Sequence, residues 1–208
     1  MLMLLCSAAL PSAAAPEPAT SRVDADWILR TLAQPAPMRT DFVELRGSPM
    51  LKAPLRLQGE YRRPDNATLV REVREPYAET TTLRQGQASI ARPGKPVRNF
   101  ALSRAPELAQ LQAGFGAMLS GDRALLETQY QLAPHGTREQ WTLLMTPLHS
   151  KLKTQLQGIT LHGRGEELRC IETRPAKGDL QRTLLGSAAK AATANATANA
   201  LADLCHGR

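Results

Sequence analysis

Histidine and cysteine carry much of the chemistry available to side chains near neutral pH, and this 208-residue chain has four of the first and three of the second. His135, His149, His162 and His206 are far apart, with no ligand partner at the short spacings that mark metal sites, and they read as surface or strand residues. No metal and no cofactor is expected. The motifs that would arm a nucleophile or cradle a phosphate (G-x-S-x-G, H-E-x-x-H, C-x-x-C, a phosphate loop) do not occur, and Gly163-Arg164-Gly165 suits a hairpin turn. The chain is expected not to be an enzyme. Cys170 and Cys205 leave two readings. In an oxidising compartment they form a disulfide worth about 3–4 kcal/mol in the chain-entropy picture; otherwise they are inert buried thiols.

The N-terminus speaks for the oxidising compartment. Met1 to Ala15, MLMLLCSAALPSAAA, has an apolar run through Leu10 and an A-x-A arrangement before Pro16, the pattern of a cleaved signal peptide, although the usual basic n-region is missing. A retained N-terminal core helix is the other reading. Cys6 is preceded by Leu5 where a lipoprotein cleavage site needs a small residue. A periplasmic, monomeric chain of one domain, residues 16–208, is therefore expected. The formal charge of +7 is interspersed and no nucleic-acid motif accompanies it, so the charge favours anionic lipid headgroups or an acidic partner over nucleic acid.

The elements that would position these residues are mostly strands. Leu55, Leu57, Gly59 and Tyr61 alternate with Arg56, Gln58, Glu60 and Arg62, which is the period of a strand with one apolar face. Pro64-Asp65-Asn66 turns the chain into a second strand, Thr68 to Arg74, and Pro76 marks a break. Further strands are expected at Met38–Arg46, Glu79–Arg84, Ala88–Ala91, Val97–Leu102, Gln129–Leu132, Arg138–Thr146, Gly158–Gly163, Glu167–Thr173 and Asp179–Leu185. Asp24 or Asp26 caps a short helix carrying Trp27, Ile28 and Leu32, which reads as a lid or flank. Pro106 to Leu119 places Leu108, Leu111 and Phe115 on one helical stripe. A short surface helix falls between Pro147 and Gln155, and the alanine-rich run Ala188 to Leu204 reads as one terminal helix.

Strands that follow one another through tight turns make an antiparallel sheet, and about eleven of them should curl into an unclosed barrel with helices over it, an α+β fold. Leu55, Leu57, Tyr61, Leu69, Val73, Leu83, Trp141 and Leu143, capped by Leu108, Leu111 and Phe115, could line an apolar room for hydrocarbon chains. The other reading is that they pack against the helices.

This order of elements resembles the LolA-type periplasmic carriers of outer-membrane lipoproteins. Its most specific piece is the strand that ends in Arg63-Pro64, followed by one that ends before Pro76. The late segments Gly158-Ile159-Thr160-Leu161, Glu167 to Ile171, Gly178 to Gln181 and Thr183 to Leu185 resemble a LolA-related subfamily, some of whose members accompany polyene-lipid or pigment biosynthesis. The resemblance implies a helical lid over an apolar cavity, a latch role for Arg63, which read by itself is an ordinary solvated turn arginine, and an acylated lipoprotein or lipid cargo carried from an inner-membrane donor to an outer-membrane acceptor. It leaves open a fixed lipid-binding or sensor module, and a carrier of polyene lipid.

Overall fold

The computed structural model describes residues 22–46, 54–102, 118 and 121–208. The expected signal peptide and the expected helical stripe of Leu108, Leu111 and Phe115 lie outside the described residues.

Eleven strands form one antiparallel sheet: β1 Met38–Arg46, β2 Leu55–Arg63, β3 Thr68–Glu75, β4 Glu79–Arg84, β5 Gln87–Ala91, β6 Arg98–Ala101, β7 Tyr130–Gly136, β8 Trp141–Pro147, β9 Leu156–Arg164, β10 Glu167–Pro175 and β11 Gln181–Leu185. Their spatial order is β6-β5-β4-β3-β2-β1-β11-β10-β9-β8-β7. Two meanders, β1–β6 and β7–β11, are thus joined where the first strand pairs with the last, Phe42 opposite Leu185. β6 and β7 are the margins and the sheet is not closed into a barrel. One margin is a strand of four residues and the other carries Pro134, which has no N–H to offer a neighbouring chain. The turn between β4 and β5 needs positive φ at both central residues, and Gln85 and Gly86 adopt 48° and 74°.

Among the described residues these helices flank the sheet: α1 Ala25–Leu32, α2 Arg123–Glu127, α3 Ser150–Lys153, α4 Gly186–Ala191 and α5 Ala198–His206. Asp24 caps α1, its carboxylate accepting the Trp27 N–H at 2.7 Å. Ile28, Leu29 and Leu32 of α1 pack in one cluster with Trp141, Leu143 and Leu161 of β8 and β9. Fully buried aliphatic side chains such as Ile28 and Leu143 each contribute about 1.5–3 kcal/mol. The Trp141 indole N–H donates to the Gly165 carbonyl at 2.9 Å, so the ring is buried without losing a hydrogen bond. Gly163 makes room for it, since a Cβ there would come within 2.0 Å of the ring.

The terminal helix expected from Ala188 to Leu204 is in fact two. Thr197 accepts the Ala200 N–H at 3.2 Å and starts α5 afresh, after Thr193 and Asn195, whose short polar side chains compete with helix hydrogen bonding. Both helices cover the sheet face opposite α1. There Val43, Cys170 and Leu184 meet Ala188 and Ala189 of α4 and Leu201 and Cys205 of α5. Cys170 and Cys205 are bonded, with Cα atoms 5.1 Å apart.

On the same face of β1–β3, Asp41, Glu60 and Glu72 sit directly opposite one another across the strands. Like charges in that register repel, and arginines offset them. Arg62 reaches Glu72 at 2.8 Å, and Arg74 reaches Glu72 at 3.0 Å and Glu60 at 3.3 Å. The strand alternation predicts a charged surface here, and the arginines Arg39, Arg62 and Arg74 are its open part, while Glu60 beneath them is buried.

Candidate functional site

Strand register places eight of the expected lining residues on one face, the face that carries α1. Leu57 lies across from Glu44, Tyr61 from Thr40 and Arg71, Val73 from Gly59, and Leu69 from Leu83. Leu143 lies across from Leu161 and Trp141 from Gly163. These residues divide into three clusters. Trp141 and Leu143 lie beneath α1. Leu57 and Val73 join Phe42 and Leu185, flanked by Leu55 and Tyr61. Leu83 joins Ala88 and Leu102, flanked by Leu69 and Phe100. Leu168 and Ile171 of β10 pack against both the first cluster and the second, so the two are continuous across the middle of the sheet.

Arg63 ends β2 at the edge of this face. Its side chain is buried, at 6% exposure, where a solvated turn arginine would be open to water. Its Nη1 donates to the Gln34 carbonyl at 2.9 Å, just past the end of α1, and its Nη2 to Asn66 Oδ1 at 3.0 Å. One planar fork therefore ties the β2–β3 turn to the exit of α1.

A polar group stands in the middle of the apolar face and was not anticipated from the sequence. The Glu44 carboxylate, 4% exposed, accepts from Arg71 Nη2 at 2.7 Å and from Arg46. The Arg71 guanidinium lies 4.8 Å from the centre of the Phe42 ring, a cation–π contact, and Phe42 packs on Tyr61 with ring centres 4.8 Å apart. Burial pushes the Tyr61 phenol up and Glu44 adds to the rise, against the pull of Arg71. The alternation Leu69, Arg71, Val73 was the available signal, since it puts an arginine on the inner parity of β3.

The opposite face holds a second constellation. Glu172 of β10 accepts from Arg182 Nε at 2.5 Å, while His162 Nε2 and His206 Nε2 each stand 3.3 Å from its carboxylate oxygens. Burial alone would raise this carboxyl, but hydrogen bonds from His162 and Arg182, and their charges, hold it at about 2. Two of the four histidines read as unconnected are thus brought together. His149 instead lies 2.8 Å from the Thr128 carbonyl, and His135 is exposed on β7. A cleft of about 510 Å³ opens between Tyr77, Ala78, Arg92, Pro93 and Lys95. One aromatic ring and two cations make it a poor shelter for hydrocarbon.

Among the described residues no helix is long and apolar enough to cross a membrane. A family model described as outer membrane lipoprotein carrier protein LolA-like matches residues 13–208. No curated protein matches the chain. Solved structures similar to it include a LolA superfamily protein from Nitrosomonas europaea, at 11% identity and a TM-score of 0.39 over 79% of this chain and 91% of that one. A chain of the Pseudomonas aeruginosa MucA/MucB complex is similar at 19% identity and a TM-score of 0.41, over 78% of this chain and 56% of that one. LprF from Mycobacterium bovis is similar at 13% identity and a TM-score of 0.35, over 80% and 94%. The chain thus spans little more than half the length of the MucA/MucB chain it matches.

Proposed function

Because this chain belongs to the LolA-like family of outer membrane lipoprotein carrier proteins, we propose that it is a periplasmic carrier that shelters the acyl chains of a lipoprotein or lipid on the α1 face of its sheet. After removal of residues 1–15 it would take cargo from an inner-membrane donor and deliver it to an outer-membrane acceptor. An acyl chain gains about 0.8 kcal/mol per CH₂ buried in a membrane, so a molecule with two or three chains does not cross water unaided. A carrier has to offer an equivalent apolar surface and give it up again.

The observation that supports this role is the common face of Leu55, Leu57, Tyr61, Leu69, Val73 and Leu83, set in a sheet that remains open. In this role Arg63 acts as the latch of α1, holding its exit at Gln34 while no cargo is bound. The Cys170–Cys205 disulfide suits an oxidising periplasm, and the charge of +7 suits approach to anionic membrane surfaces.

The test is lipid extraction from the purified protein with identification by mass spectrometry, followed by acyl-chain transfer between donor and acceptor vesicles. Bound acyl lipid is expected, and transfer should fall at least tenfold in Leu57→Asp. Protein that carries no lipid and binds no acyl probe would overturn the assignment.

A further inference from the structure

His162 comes from β9, Glu172 from β10 and His206 from the last residue of α5, and they converge beside the disulfide on the face away from α1. Each imidazole Nε2 is 3.3 Å from its own carboxylate oxygen, and the ring centres are 5.0 Å apart. A tetrahedral ion with bonds of about 2.0 Å holds its ligands about 3.3 Å apart, which is the distance of His162 Nε2 from Oε2 and of His206 Nε2 from Oε1 of the one carboxylate. The remaining separations are bounded as well, because one ligand atom from each residue of the group lies within 4.8 Å of the others.

We propose that His162, Glu172 and His206 form a binding site for a divalent transition-metal ion of the zinc class, which fastens α5 to the sheet alongside the disulfide. Two imidazole nitrogens and one carboxylate oxygen are the donor set that zinc, cobalt, nickel and copper accept, and that magnesium and calcium do not favour. Arg182 donates to Oε1 of Glu172 at 2.5 Å, an outer contact that orients the carboxylate; Oε2, which faces His162, is left for the ion, and the more open His206, which faces Oε1, turns toward it on binding. Cys205 Sγ belongs to the same group of atoms but is committed to its bond with Cys170, so water fills the fourth position. His162 is mostly buried while His206 is more open, which gives the ion a rigid side and an entry side. The Arg182 charge opposes a cation and weakens the binding that these donors would otherwise give.

The experiment titrates the purified full chain, carrying no added histidines, with zinc chloride in a calorimeter and with Co²⁺ by visible absorption. One ion per chain is expected, with ligand-field bands for Co²⁺ and a zinc-dependent rise in melting temperature. His162→Ala, Glu172→Gln and His206→Ala each weaken binding at least tenfold, while His135→Ala and His149→Ala bind as the parent does. His206 ends a helix and is partly exposed, so its variant keeps the fold, which circular dichroism checks. The proposal is overturned if the parent binds no ion, or if binding survives in the His162→Ala/His206→Ala double variant. Neither outcome bears on lipid carriage, which uses the other face.

Discussion

The Arg63 guanidinium donates to the carbonyl of Gln34 at 2.9 Å, and through it the end of β2 restrains the chain just beyond α1. Charged hydrogen bonds of this kind are worth about 1.5–3 kcal/mol when buried. Arg63→Ala is expected to speed amide exchange across Ala25–Leu32 about tenfold while leaving β9 and β10 unchanged. Arg63→Lys should not restore protection, because an ammonium cannot reproduce a fork that spans Gln34 and Asn66. Unchanged exchange in the alanine variant would mean that apolar packing alone holds α1.

Glu44 and Arg71 form an ion pair surrounded by Phe42, Tyr61 and Leu57, and breaking such a pair strands one charge in an apolar setting. Glu44→Leu alone is expected to cost about 3–5 kcal/mol in urea unfolding. The Glu44→Leu/Arg71→Leu double variant should recover at least about 2 kcal/mol of that loss. Strictly additive losses would show that the two groups do not depend on each other.

The Cys170–Cys205 bond spans 35 residues and joins β10 to α5. Replacing both cysteines by alanine should remove about 3–4 kcal/mol and lower the melting temperature by about 10 °C, as read by calorimetry. A change under about 2 °C would mean that Leu201 and its neighbours hold α5 without the covalent link.

The strands were legible because one apolar parity repeats every two residues, as in Leu55, Leu57, Gly59 and Tyr61, and because turns such as Gln85-Gly86 interrupt it. What the chain hides is pairing over distance. Nothing near Glu44 points to Arg71, and the pair becomes visible only when strand register sets β1 and β3 on either side of β2. His162 and His206 have no local signal either; they meet only because α5 folds back onto β10. The break between α4 and α5 was readable in Thr197, a capping residue, but the helix preference of the surrounding alanines masked it.

Asp65 shapes the β2–β3 turn by accepting from the Thr68 hydroxyl at 3.0 Å and the Ala67 N–H at 2.8 Å. These bonds, that of Thr68 first, hold its carboxyl below the usual aspartate value. A group with a lowered folded-state pKa adds stability above its unfolded pKa and loses it as pH falls through the folded one. Asp65→Asn should therefore melt below the parent at neutral pH, and the two should converge in acid. A gap that persists at about pH 2 would assign the effect to something other than the charge.

A sheet sealed into a ring has a girth dictated by strand number and stagger. Among the described residues β6 and β7 are not paired with each other, so no such closure fixes the girth here. The curvature of this sheet is left to the twist of its strands rather than to a closed count of them.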